Sequence, residues 1–282
     1  MELELDFFDP IKMMESGQCF RMVRLNEQTV ETVALGRRLT ITVLRNSRFR
    51  FDCTAEEFDR IWRPYFALDT DYSAIAAAAP QGDEYLARAL AHTRGLRILR
   101  QDPWETLCCF ILSQRKNLKA IRTCVEKICD TYGEPVEGTT RKSFPSPKRL
   151  AAAGDGGLCL CGLGYRAPYL LDAARQVTEG RIDLSALAAL PDAELATALQ
   201  TIHGVGIKVA NCVMLFAYGR LSCVPVDVWI QRVVDIAYGG RSPFAEYGPY
   251  AGVYQQALFM FARDAGFEAY GPISEPSDAR KE

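Results

Sequence analysis

The stretch Thr201–Cys212, TIHGVGIKVANC, constrains the fold more than any other part of the chain. Gly204 and Gly206 break an apolar run, and the apolar pattern resumes at once: Val209, Cys212, Val213 and Phe216 fall at i, i+3, i+4 and i+7. That spacing predicts a helix over 208–216. A second short helix is predicted over 192–200, so the chain must turn tightly between two helices at HGVG, residues 203–206. Such a turn aims backbone N–H groups outward at a helix start, where they can bind phosphate. The same glycines can also do no more than supply positive φ to a plain helix–helix turn. GVGIK fits neither G-x-x-x-x-G-K-[ST] nor G-x-G-x-x-G, so neither of those nucleotide-binding loops is expected.

Upstream the periodicity changes. TVETVAL, RLTITVL and RFRFDC alternate or are β-branched and are separated by turn residues, which predicts an antiparallel meander over about 18–53, polar on one face. From about residue 56 the stripes are helical, as in Trp104, Leu107, Cys108, Ile111 and Leu112, with Asp102 and Pro103 as a start signal. Residues 133–147 read as a surface loop, the stretch from Gly154 turns twice on glycine before a new helix, and a last helix is predicted from about Tyr250 to Arg263. The expected fold class is α+β, an N-terminal antiparallel sheet followed by a mainly helical body. Its domains are an N-terminal unit over 1–101, a helical unit over 102–274 with the hairpin at 192–216, and a frayed polar tail at 275–282.

Composition adds exclusions. The net charge of −2 does not announce a polyanion binder, so positive charge must be sought locally. Residues 115–127 hold Arg115, Lys116, Lys119, Arg122 and Lys127 against one acid, Glu126. Residues 141–149 add Arg141, Lys142, Lys148 and Arg149 with no acid. Both clusters are candidate phosphate contacts. No run of about 18 apolar residues predicts a membrane helix, and MELELDFFDP does not resemble a signal peptide. The ten cysteines suggest reduced core thiols in a cytoplasmic protein (nucleoid-associated if bacterial). Cys159 and Cys161 lack a second nearby pair, so no metal and no cofactor is expected.

Two residues could carry chemistry. Lys208 opens an apolar helix; it can snorkel to solvent, or serve as a neutral amine nucleophile where burial withdraws it from water. Asp227, in CVPVDVWIQRVV, can be a plain N-cap or can steady a developing positive charge. Nineteen residues separate them, enough for one helix and a return loop to one pocket. Gln255 and Phe259 are four apart on one helix and share a face.

IHGVGIKVANC followed by VPVD resembles the helix-hairpin-helix, Gly/Pro-Asp superfamily of DNA glycosylases. With SGQCFRM, YFALDTDYS, RQDPWETLCCFILSQ, GLGYRAPYL and GPYAGVYQQALF in order, the chain is most similar to the 8-oxoguanine DNA glycosylase/AP lyase family. The resemblance implies a bifunctional repair enzyme acting on double-stranded DNA that contains a damaged base, expected to be a monomer. Lys208 would attack the sugar and Asp227 would support base departure. Gly17, Cys212, Gln255 and Phe259 would receive the extruded base, Tyr165 would wedge into the duplex, and Arg166 would contact the opposite base. His203, Gly204, Val205 and Gly206 would hold phosphate.

The chain departs from the family at several positions. Arg115 and Lys116 stand where asparagines are usual, so Arg115 is expected at the opposite base and Lys116 on phosphate. Ala120 replaces an arginine, Trp229 a histidine, Asn211 an aspartate and His203 a proline. An alkylated-purine glycosylase and a non-catalytic DNA-binding module are the competing expectations.

Overall fold

The computed structural model of the chain describes residues 1–45 and 47–265. The end of the expected helical unit and the tail at 275–282 lie outside the described residues.

Five strands form one antiparallel sheet: β1 Glu2–Glu4, β2 Met22–Arg24, β3 Thr29–Ala34, β4 Arg37–Val43 and β5 Arg48–Phe51, in the order β1-β5-β4-β3-β2. The three longer strands match the expected meander. Strand β2 falls inside the expected 18–53 region, although residues 18–21 are not strand; β1 was not foreseen and comes from the N-terminal residues to pair with β5, Leu3 opposite Phe49. One sheet face places Val30, Leu39, Ile41, Phe49 and Phe51 in a core with Phe8, Trp62 and Phe66. The other face is polar at β3 but is not open to water. Glu31 there is 7% exposed and bound by Arg38 at 2.9 Å and Arg141 at 3.5 Å.

The helices are α1 Pro10–Glu15, α2 Ala55–Glu57, α3 Arg63–Tyr65, α4 Tyr72–Ala77, α5 Glu84–His92, α6 Pro103–Ser113, α7 Leu118–Tyr132, α8 Pro147–Cys159, α9 Ala167–Thr178, α10 Asp192–Gln200, α11 Ile207–Phe216, α12 Val228–Ala237 and α13 Ala251–Ala265. Their starts follow local chemistry. Asp102 caps α6 by accepting from the Glu105 N–H at 2.8 Å, and Asn117 caps α7 by accepting from the Ala120 N–H at 2.9 Å. Gly154, at φ +65°, kinks α8, and Gly162 at φ +77° precedes the turn into α9. Tyr72, Ile75, Tyr85, Leu86 and Ala89 of α4 and α5 belong to the helical core although they precede residue 102. Helix α13 joins the two cores: Met260 packs with the sheet, and Tyr254, Ala257, Leu258 and Phe261 with the helices.

The 133–147 segment is more than a surface loop. Pro135 bridges Lys142, Val136 is buried, and Arg141 reaches Glu126 at 2.5 Å as well as Glu31. Arg141 thereby ties this segment to both α7 and β3. Lys142 donates to the Asp130 carbonyl at 2.7 Å. Among the described residues no helix is long and apolar enough to cross a membrane.

Candidate active site

A cavity of about 440 Å³ opens between α6, α7, α11 and α13. Its floor is aromatic: Phe110 and Phe216 stack at 5.4 Å, and Phe20 meets Phe110 edge-on at 5.7 Å. Lys208 is half-buried in the first turn of α11, with its ammonium 5.5 Å from the Phe110 ring centre. Cys212, one turn further, lines the same wall. Burial pushes its thiol up to about 11; the Lys208 ammonium opposes that rise and the Asp227 carboxylate reinforces it. Cys212 thus presents a neutral thiol on that wall.

Asp227 is both an N-cap and a cavity residue. Its Oδ1 accepts from the Trp229 N–H at 3.0 Å and the Ile230 N–H at 2.9 Å. No hydrogen bond to Oδ2 is found among the described residues, and the side chain lines the cavity with Trp229 and Pro225. Asn211 fixes this loop from α11, donating its Nδ2–H to the Val224 carbonyl at 3.0 Å. A neutral donor makes that bond; an aspartate would need a proton to do so.

The opposite wall comes from α13 and the segment after α1. Gln255 is 3% exposed, and its Oε1 is buried without a hydrogen-bond partner. Gln255 lines the cavity, so this unpartnered acceptor lies in a residue that a bound ligand would touch. Gly17 adopts φ +80°, and a Cβ there would sit 3.2 Å from Leu118 and 3.6 Å from the Phe259 ring. Two polar residues that sequence reasoning missed hold Gly17 in place. Gln18 is fully buried; it donates to the Arg97 carbonyl at 2.8 Å and accepts from the Leu99 N–H at 2.8 Å. Gln256 donates to the Ser16 carbonyl at 2.7 Å. A glutamine inside SGQCF, surrounded by apolar residues, was the available signal.

The cavity brings together Gly17, Lys116, Lys208, Cys212, Asp227, Gln255 and Phe259. The other expected residues lie outside it. At the hairpin, Gly204 has φ +83° and faces Tyr169 so closely that a Cβ would sit 2.4 Å from the ring. Gly206, the N-cap of α11, is exposed and leaves the helix start without a side-chain cap. The Val205 N–H is already spent on the Ile202 carbonyl at 3.0 Å. His203 donates its backbone N–H to Asp172 Oδ2 at 3.0 Å and rests its ring on Tyr169 at 4.6 Å. Proline could not make the first of these bonds, having no backbone N–H.

Gln114 ties the hairpin to the loop that carries Tyr165 and Arg166. Its Nε2 donates to the Gly204 carbonyl at 3.1 Å, and its own carbonyl accepts from Arg166 Nε at 2.8 Å and the Tyr165 hydroxyl at 3.4 Å. Tyr165 is 49% exposed. Arg166 is buried, with its guanidinium engaged by Gln114 and Leu163 carbonyls and lying over the Tyr165 ring at 4.3 Å. In this arrangement the guanidinium braces the loop that carries Tyr165 through the Gln114 and Leu163 carbonyls. Arg115 is exposed and sits at φ +53°, a left-handed position that asparagine tolerates better.

A helix hairpin carrying a lysine toward a capping aspartate, beside a sheet domain, defines a base-excision DNA repair protein of the helix-hairpin-helix type. Residues 108–243 match the family model described as HhH-GPD superfamily base excision DNA repair protein, and residues 2–107 match 8-oxoguanine DNA glycosylase, N-terminal domain. The chain belongs to the 8-oxoguanine DNA glycosylase family. It is 31% identical over 215 residues to a probable N-glycosylase/DNA lyase of Methanothermobacter thermautotrophicus, covering 65% of this chain and 69% of that protein. The structure of MBOgg1 in complex with a low-affinity DNA ligand is similar at a TM-score of 0.89 and 34% identity, over 93% of this chain and 94% of that one. The 8-oxoguanine glycosylase/lyase of Clostridium acetobutylicum, bound to duplex DNA with cytosine opposite 8-oxoguanine, is similar at a TM-score of 0.87 and 28% identity, over 93% of each chain.

Proposed function

We propose that this protein is a bifunctional DNA glycosylase and AP lyase that removes 8-oxoguanine from duplex DNA, acting as a cytoplasmic monomer. The observation that carries this reading is one cavity joining a lysine, a carboxylate and an unsatisfied buried amide oxygen from segments far apart in sequence. A non-catalytic DNA grip has no use for that combination.

The chemistry follows from the residues. The flipped base enters between Phe259 and Cys212, where Gln255 offers hydrogen bonds to its polar edge. The Gly17 carbonyl is the acceptor for the N7–H that oxidised guanine has and guanine lacks. The Lys208 amine attacks C1′ as the C1′–N9 bond breaks, and the electron pair leaves with the base. The free side of the Asp227 carboxylate stabilises the positive charge that develops on the sugar. Opening of the C1′–O4′ bond gives an imine between Lys208 and C1′. Loss of a C2′ proton then expels the 3′ phosphate and nicks the strand. The uncapped start of α11 at Gly206 holds a backbone phosphate beside the flipped nucleotide.

Borohydride reduction in the presence of duplex containing 8-oxoguanine tests this. A covalent protein–DNA adduct is expected with the wild type and none with Lys208→Ala. No wild-type adduct on 8-oxoguanine duplex would sink the lyase reading. Excision of alkylated purines without an adduct would favour the simpler glycosylase.

A further inference from the structure

Beside the lesion cavity runs a second groove, of about 420 Å³, which the chemistry above does not use. It lies between one face of α7 and the loop before Tyr165, and is lined by Lys116, Lys119, Thr123, Lys127, Cys161 and Gly162. Lys119, Thr123 and Lys127 recur at every fourth residue, so they form one stripe along the helix. The far side of α7 is committed to the core through Ile121, Val125 and Ile128.

Three lysines line this groove, and among the described residues no acid does. The one carboxylate in the 115–127 segment, Glu126, is drawn to the other side by Arg21 at 3.3 Å and Arg141 at 2.5 Å. Lys119 and Lys127 form no ion pair among the described residues, and Lys116 reaches only the Gly162 carbonyl, at 3.3 Å. A chain of net charge −2 has therefore concentrated uncompensated positive charge in one concave strip.

The strip is continuous with the lesion cavity, since Lys116, Asn117 and Lys119 line both. From Lys119 to Lys127 the helix rises about 12 Å, a span for roughly two or three phosphates of one strand. The lesion strand is assigned to the hairpin by the uncapped start of α11. We propose that this groove is a phosphodiester track for the other strand, the one opposite the flipped nucleotide. The proposal rests on the glycosylase reading. It gives the enzyme a duplex-specific grip that reads no base and relies on charge alone.

The test measures binding across a series of salt concentrations. The probes are a duplex carrying a tetrahydrofuran abasic site, which cannot form an imine, and the same lesion strand alone. Lys119→Glu/Lys127→Glu is expected to make the slope of log K against log salt shallower by about 2 and to weaken duplex binding about tenfold or more. Binding of the single strand should stay within about twofold, and the exposed control Arg60→Glu should match wild type on both probes. Thermal unfolding of each variant reports whether the fold is kept. Methylphosphonates in the unlesioned strand should weaken wild type and leave the double variant unaffected. An unchanged duplex slope, or equal losses on duplex and single strand, would overturn the proposal. Failure of the wild type to bind the duplex at all would instead remove the glycosylase reading beneath it.

Discussion

Both hydrogen bonds to Asp227 fall on the same oxygen, and that division settles which substitution is informative. Asparagine keeps an Oδ1 acceptor for the Trp229 and Ile230 N–H groups but removes the charge facing the cavity. Asp227→Asn should therefore unfold within about 2 °C of wild type while single-turnover base removal falls on the order of a hundredfold or more. A large drop in Tm with little kinetic change would reduce Asp227 to a cap. Gln255 offers the converse experiment. Its Oε1 is buried without a partner, so Gln255→Leu should leave stability unchanged or raise it by about 1 kcal/mol in denaturant unfolding. The same variant should lose about tenfold or more in affinity for 8-oxoguanine duplex, because the polar edge of the base then meets a methyl group. Equal affinity would show that the base does not reach Gln255. Local spacing placed both residues on helices, a carboxylate at a helix start and a glutamine one turn from an aromatic, but their roles came only from the resemblance to the family. The contacts of His203 were not legible, because its partners Asp172 and Tyr169 come from α9, a helix whose position no local pattern reveals.

At the scale of elements, the hairpin separates two glycines that look alike in TIHGVGIKVANC. Gly204 needs its positive φ and its missing Cβ, which would otherwise strike Tyr169. Gly206 has φ −90° and open space around it. Gly204→Ala should therefore destabilise the protein by about 2–3 kcal/mol, and Gly206→Ala should stay within about 0.5 kcal/mol in the same denaturant titration. Equal effects would mean that the Tyr169 contact does not decide the fold of the turn. The long helices and the three longer strands were legible because each repeats its period several times. Strand β1 was not, since three residues cannot display a period and its partner β5 lies more than forty residues away. The strut from Gly204 through Gln114 to Arg166 was equally hidden. A sequence motif marks the loop of Tyr165 and the hairpin separately, but not that one side chain ties them.

Across the whole molecule the sheet and the helical body are joined by buried charge as well as by α13. Arg38 and Arg141 hold Glu31, and Arg141 and Arg21 hold Glu126. Sequence windows judged Arg141 to be without an acid because its carboxylates sit 110 and 15 residues away. Charge balance in a folded chain is a property of neighbours in space, and for Arg141 those neighbours lie outside the 141–149 window. Glu105 belongs to the same neighbourhood. Burial pushes its carboxyl up from 4.5 to about 7, reinforced by Asp102 and Glu126 and opposed by Arg21 and Arg141. A carboxyl raised in the folded state favours folding while it stays protonated. Between about pH 4.5 and 7 the unfolded chain ionises Glu105 and the folded chain resists, so this contribution is lost as pH rises. Glu105→Gln should therefore match wild type near pH 4.5 and exceed it by on the order of 2 kcal/mol at pH 8. Denaturant midpoints at pH 4.5, 6 and 8 decide the matter. Parallel stability curves would show that Arg21 and Arg141 already compensate the charge, and that the joint between sheet and helices is indifferent to pH in this range.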